Sequence, residues 1–213
     1  MTTRLNAGIQ TDIQRLAMAD LELDLSFKAP EGTLPMLLTV DRSTKALLNC
    51  CDSWHGELKS WIKAIRADLH QPCPDVVRQT QAASVGLQFT DDEHIAKLND
   101  QWRHRPGATD VLSFAALDGS IALPGSASVE LGDIIISVET AARQAQQHQH
   151  TLQEELRWLV SHGLLHLLGW DHPDQQSLDK MLSYQEQLLG INGKVQDSGH
   201  GGGDATNTTK DVH

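Results

Sequence analysis

Residues 162–172 read HGLLHLLGWDH and hold three histidines, His162, His166 and His172. His162 and His166 are four apart, a spacing that stacks two side chains on one helix face. Gly169 follows three residues after His166, where glycine can adopt the left-handed conformation that ends a helix. Beyond that turn, His172 can swing back toward the first two. Three converging imidazoles suit a tetrahedral metal ion whose fourth corner is left to water, the layout of a catalytic site. Imidazole ligands and tetrahedral geometry favour zinc, one ion per chain. Such an ion lowers the pKa of its water from ~15.7 toward ~7.

The same spacing occurs in the metzincin protease signature, H-E-x-x-H-x-x-G-x-x-H, whose Glu follows the first His as general base. Here that position is Gly163, which cannot take up a proton. A mid-helix glycine costs about 1 kcal/mol against alanine. It is explained equally well by close packing of another backbone or by room for a bulky substrate beside the metal.

The segment resembles the signature H-G-x-x-H-x-x-G-x-D-H of the YbeY family. That resemblance implies a metal-dependent endoribonuclease that matures ribosomal RNA. Two further segments are similar to the family in the same order: WRHRPGATDVLSF at 102–114 and LGDIIIS at 131–137. The resemblance covers roughly residues 19–190. It implies single-stranded RNA and ribosomal RNA as substrate, specifically the 3′ end of small-subunit rRNA. It also implies the small ribosomal subunit and its proteins as partners, and a part in ribosome quality control. It further implies a catalytic arginine at Arg103.

Arg103 opens the segment Arg103-His104-Arg105-Pro106-Gly107, expected to be a loop from its proline and glycine. This segment concentrates positive charge in a chain of 213 residues with formal net charge −11 and pI near 5.3. The planar fork of arginine suits phosphate oxygens, so Arg103 is expected to clamp a phosphate or its transition state. The acidic balance argues against coating nucleic acid through bulk charge. It fits cleavage of single strands, since a duplex requires a broad basic footprint. Neither DNA nor a membrane is an expected partner, and no apolar run approaches the ~18 residues of a membrane span. Three cysteines without metal spacing, and no secretory signal pattern, point to a reducing cytoplasm.

Several elements must position these groups. Alternating apolar residues at 20–28 mark a half-buried strand. Lys45 to about Leu69 reads as one amphipathic helix, or two joined near Gly56, with His55 and His70 facing solvent. Residues 83–90 read as a second strand, and Thr90 or Asp91 caps a helix ending near Trp102. VLSFA follows as a third strand. A Gly/Ser/Pro-containing connection at 117–129 then leads into LGDIIIS, a strand apolar enough for the sheet interior. Asp133 is expected to serve the strand end rather than to orient a histidine. Ser137 caps the next helix, at whose frayed end His148 and His150 are expected to be solvated and not ligands. Thr151 and Glu154 make a capping box for the helix bearing His162 and His166. Trp170 is expected to pack. A last helix starts at Pro173–Asp174 and ends at Gly190.

The expected fold is α/β in the broad sense (α+β): a single domain over 19–190, with a mixed four-stranded sheet, about five helices and a zincin-like metal helix. Residues 1–18 are expected to be a loosely ordered lead and 191–213 a disordered tail. The attacking group, water or a ribose 2′-OH, is left open, as is assistance by Asp171. Two alternatives stand beside the nuclease: a peptidase-like zinc hydrolase, and a ribosome-assembly factor binding RNA and protein around a structural metal.

Overall fold

The leucines that alternate through residues 21–25 build strand β1 (Glu22–Lys28), with Leu21 and Leu23 in the core. The computed structural model describes residues 21–30, 42–117 and 128–192. The expected lead at 1–18 and nearly all of the expected tail lie outside the described residues, as does most of the 117–129 connection. After β1 come α1 (Arg42–Asn49), α2 (Cys51–Ala67), α3 (Asp75–Gln79), β2 (Ala82–Thr90), α4 (Asp92–Arg103), β3 (Val111–Ala115) and β4 (Ser128–Ser137). Then follow α5 (Val138–Gln147), α6 (Leu152–Leu167) and α7 (Gln175–Asn192).

The four strands form one mixed sheet in the order β1-β2-β4-β3. β1 with β2 and β2 with β4 are parallel, while β3 and β4 run antiparallel. Val85, Leu87, Phe89, Ile134 and Ile136 are buried, whereas Asp133 on the other face is exposed. Helices therefore cover chiefly one face, the α+β arrangement. Trp54 of α2, fully buried, packs on Phe89 with ring centroids 5.3 Å apart.

The expected elements need four corrections, three to helices and one to a strand. The break between α1 and α2 falls at Cys50, which is extended, and not near Gly56. Gly56 lies inside α2, where buried Trp54, Leu58, Trp61 and Ile62 outweigh its poor helix propensity. Two short helices, α1 and α3, join the five longer ones. α7 continues past exposed Gly190 to Asn192, since packing and not one glycine sets its length. β4 starts at Ser128, so Ser128 and Val129 are strand, paired with Ala82 and Ala83.

His55 also departs from expectation. It is half-buried, and its Nε2 lies 2.9 Å from the carbonyl of Leu23, tying α2 to β1. His70 is exposed as expected.

Candidate metal centre

Helix α6, which carries His162 and His166, begins with the expected capping box. Thr151 accepts from the Glu154 amide, and Glu154 returns to the Thr151 amide at 2.8 Å. Leu156, Leu159, Val160, Leu164 and Leu167 are all buried and seat the helix. Arg157 fixes it laterally. Its guanidinium donates to both oxygens of Glu57 on α2 and to the Leu189 carbonyl on α7.

Gly169 ends the helix in the left-handed conformation, with φ +84°. The Gly169 amide bonds the His166 carbonyl at 3.0 Å, and the Trp170 amide bonds the Leu165 carbonyl at 3.0 Å. This pair of bonds is a Schellman closure. It returns the chain so that His172 comes back over the helix. Ring centroids are 4.7 Å apart for His162–His166, 5.2 Å for His166–His172 and 5.7 Å for His162–His172. One nitrogen from each ring lies within 4.8 Å of the others.

The hydrogen bonds behind the rings fix their tautomers. The Gln185 amide nitrogen donates to the Trp158 carbonyl at 2.7 Å and to Ser161 Oγ at 3.1 Å. Its oxygen therefore faces His162 Nδ1, at 3.2 Å, and requires a proton there. The Trp170 carbonyl, 2.9 Å from His166 Nδ1, requires the same. Both Nε2 atoms are then lone-pair acceptors, yet they face each other across 3.1 Å. Two acceptors in contact repel unless a cation lies between their lone pairs. Zinc–imidazole bonds of 2.0–2.1 Å separate tetrahedral nitrogens by about 3.3 Å. The donor set thus fits a zinc-type ion, and the bonds from Gln185 and Trp170 would orient its ligands.

The environment of His162 and His166 favours the neutral ring, the form that binds a metal. Burial pushes His162 down from 6.5 to about 4, and neighbouring His166 adds to the shift. Burial likewise lowers His166, followed by the effect of His172, with the charge of Arg103 acting in the same direction.

Arg103 is therefore close enough to act on His166. It lines a cavity of about 150 Å³ together with Ser113, Asp171 and the three histidines. An adjoining cavity of about 330 Å³ shares Arg103, Ser113, His166 and Asp171. Arg103 is the last residue of α4 and not a loop residue; the loop starts at His104, which is left-handed with φ 55°. A helix end holds an arginine more firmly than a loop does. Among the described residues, neither Arg103 nor Arg105 forms an ion pair.

Gly163 is explained by packing. An added Cβ would come within 2.8 Å of Ile134 Cγ2 and 3.0 Å of Ser113 Oγ. These two residues pair across β3 and β4, so α6 rests its glycine on one cross-strand pair. The neighbours are side chains, so neither another backbone nor open room for a substrate accounts for the glycine. Asp133 stands over Gly86 on the far face of the sheet and orients no histidine. Trp170 packs as expected, stacked on Tyr184 at 5.2 Å with its Nε1–H donated to the Pro72 carbonyl.

Three contributors escaped sequence reasoning. Gln185 sits in the buried stripe Met181, Tyr184, Gln185, Leu188, and a glutamine at core spacing was its one signal. Ser113 lines both cavities. Trp102, next to Arg103, is 60% exposed and is the only large apolar residue exposed among the described residues. Its ring meets Phe114 edge-on at 6.0 Å. His150, expected to be solvated, is instead half-buried against the carboxylate of Glu155, while exposed His148 lies 3.7 Å from the same carboxylate.

The model of the family described as Endoribonuclease YbeY matches residues 52–192. A relative from Prochlorococcus marinus (strain MIT 9313), Endoribonuclease YbeY, is 56% identical over 176 residues, covering 83% of this chain and 94% of that one. Another of the same name, from Synechococcus sp. (strain CC9902), is 51% identical over 179 residues, covering 84% and 96%. The solution structure of TM1509 from Thermotoga maritima aligns over 80% of this chain and 90% of that one, with 22% identity and a TM-score of 0.41.

Proposed function

The chain belongs to the YbeY family of endoribonucleases, and we propose that its reaction centre is His162, His166 and His172 with Arg103 beside them. It is a hydrolase acting on RNA phosphodiester bonds in rRNA processing, and its family is metal-dependent. Zinc is the proposed ion, with the three imidazoles as its ligands. One observation carries this assignment: the Nε2 atoms of His162 and His166 face each other at 3.1 Å while both Nδ1 atoms point at oxygens.

A divalent ion bound there supplies a water of lowered pKa and a Lewis acid for a phosphoryl oxygen. The remaining steps belong to side chains. Arg103 donates to the non-bridging phosphate oxygens as charge builds on them. Asp171, on the wall of both cavities, takes the proton from the attacking hydroxyl. One of its oxygens already accepts the His172 amide at 2.8 Å, which holds the carboxylate in place. Trp102 offers an exposed ring on which a base next to the scissile bond stacks.

The proposed substrate is single-stranded RNA at the 3′ end of small-subunit rRNA, met on the small subunit and its proteins. A cytoplasmic location follows from that substrate. Among the described residues, no helix is long and apolar enough to cross a membrane. The proposed catalytic domain spans 19–190, flanked by accessory segments at 1–18 and 191–213. The peptidase alternative lacks the Glu that follows the first His in the protease signature, since position 163 is a glycine.

The test is cleavage of an end-labelled single-stranded RNA by wild type, His166→Ala and Arg103→Ala, with metal measured on the same samples. His166→Ala should lose one equivalent of metal together with activity. Arg103→Ala should keep its metal and lose about 10²–10³-fold in kcat. Equal cutting by all three would trace the activity to a contaminant and favour an assembly factor with a structural metal.

A further inference from the structure

The turn between α5 and α6 reads His148-Gln149-His150-Thr151. It closes tightly. The His148 amide bonds the Gln144 carbonyl at 2.9 Å, and the His150 amide bonds the Ala145 carbonyl at 3.1 Å. Between them Gln149 is left-handed, φ 59°, a conformation that costs a non-glycine residue roughly 1–2 kcal/mol. The result is that both imidazoles turn to the same side, with ring centroids 5.6 Å apart.

Both face Glu155, in the first turn of α6, whose side chain is only 2% exposed. His150 Nε2 contacts Glu155 Oε2, and His148 Nδ1 lies 3.7 Å from the same oxygen. One donor atom from each residue falls within 4.8 Å of the other two. A buried carboxylate is costly unless compensated. A single protonated imidazole would suffice for that. The second is superfluous to a hydrogen bond already made, and two charged rings side by side would repel. Two imidazoles and one carboxylate are instead a complete three-ligand set for zinc, leaving a fourth position for water.

We propose that His148, His150 and Glu155 form a second zinc-type site that clamps the α5–α6 turn to the start of α6. Glu155 and His162 are seven residues apart, near one face of α6 and separated by about 10.5 Å along its axis. Paired catalytic ions sit about 3.5–4 Å apart, so the two sites do not share a phosphate. The second ion acts on the foundation of the helix that carries His162 and His166.

The experiment is a Zn²⁺ titration of the metal-free full chain against a chromophoric chelator. Three proteins are compared: wild type, His148→Asn/His150→Gln, and His162→Ala/His166→Ala. Wild type should take two equivalents and each double variant one. Zn²⁺ should also raise the Tm of His162→Ala/His166→Ala. One equivalent in wild type and none in His162→Ala/His166→Ala would overturn the proposal. Two equivalents retained by His148→Asn/His150→Gln would do so as well, placing the second ion elsewhere, for instance on His200 or His213. If His148→Asn/His150→Gln fails to fold by circular dichroism, the His162→Ala/His166→Ala titration decides alone.

Discussion

Gln185 Oε1 lies 3.2 Å from His162 Nδ1, and the nitrogen of the same amide is pinned by the Trp158 carbonyl and Ser161 Oγ. The amide cannot flip without losing two bonds, so it dictates which nitrogen of His162 is free. Gln185→Met removes that control while keeping much of the volume. Metal affinity at the His162 centre should fall by about 10–100-fold, the usual cost of losing an outer-shell partner. Zn²⁺ competition titration measures it. Unchanged affinity would mean that packing alone orients His162.

Trp102→Ala should leave the fold intact, because the ring is 60% exposed and its one aromatic contact is with Phe114. Its effect should fall on RNA binding, weakened by about 1–3 kcal/mol if one base stacks there. The expected pattern is a raised KM with kcat little changed, and Trp102→Phe should recover most of the loss. A pure kcat effect would instead place Trp102 among the groups that support Arg103.

Gly163→Ala sets two effects against each other. Alanine gains about 1 kcal/mol in helix propensity. Its methyl would meet Ile134 Cγ2 at 2.8 Å, on a β-branched side chain with little rotamer freedom. Overpacking typically costs about 1–3 kcal/mol. Net destabilisation in urea is expected, and a variant as stable as wild type would show that α6 can lift off the sheet freely.

The metal-free protein should lose stability on mild acidification. His162 sits at about 4 in the fold, pushed down by burial and by His166, against about 6.5 in an unfolded chain. The unfolded state therefore binds more protons across that window. The stability that neutral His162 allows is present above pH ~6.5 and is lost as pH falls toward ~4. Thermal melts of chelator-treated protein between those limits test this. A Tm independent of pH would mean that His162 is not buried as a neutral ring.

Local signals were legible where one short segment decides the outcome. Thr151 and Glu154 announced their capping box, Gly169 its left-handed turn, and Ser137 its cap. The three histidines were legible because a helix and its closing turn bring them together without help from afar. Gln185 was not, since it reaches His162 only through the docking of α7, 23 residues later. The break at Cys50 was hidden because apolar residues continue at helical spacing on both sides of it. His148 and His150 looked solvated because they sit at the frayed end of α5, and their partner Glu155 belongs to the next helix. Burial of that carboxylate is a property of the α5–α6 packing and has no local signature.

The dependence of His162 on α7 also bears on the order of synthesis. A ribosome that has released the chain only through His172 has delivered all three imidazoles and Arg103, but not the residue that sets the His162 tautomer. Emergence at about 5–20 residues per second leaves a brief interval in which the imidazoles exist without their orienting amide. The proposed metal centre would thus reach its final form only with the late arrival of α7.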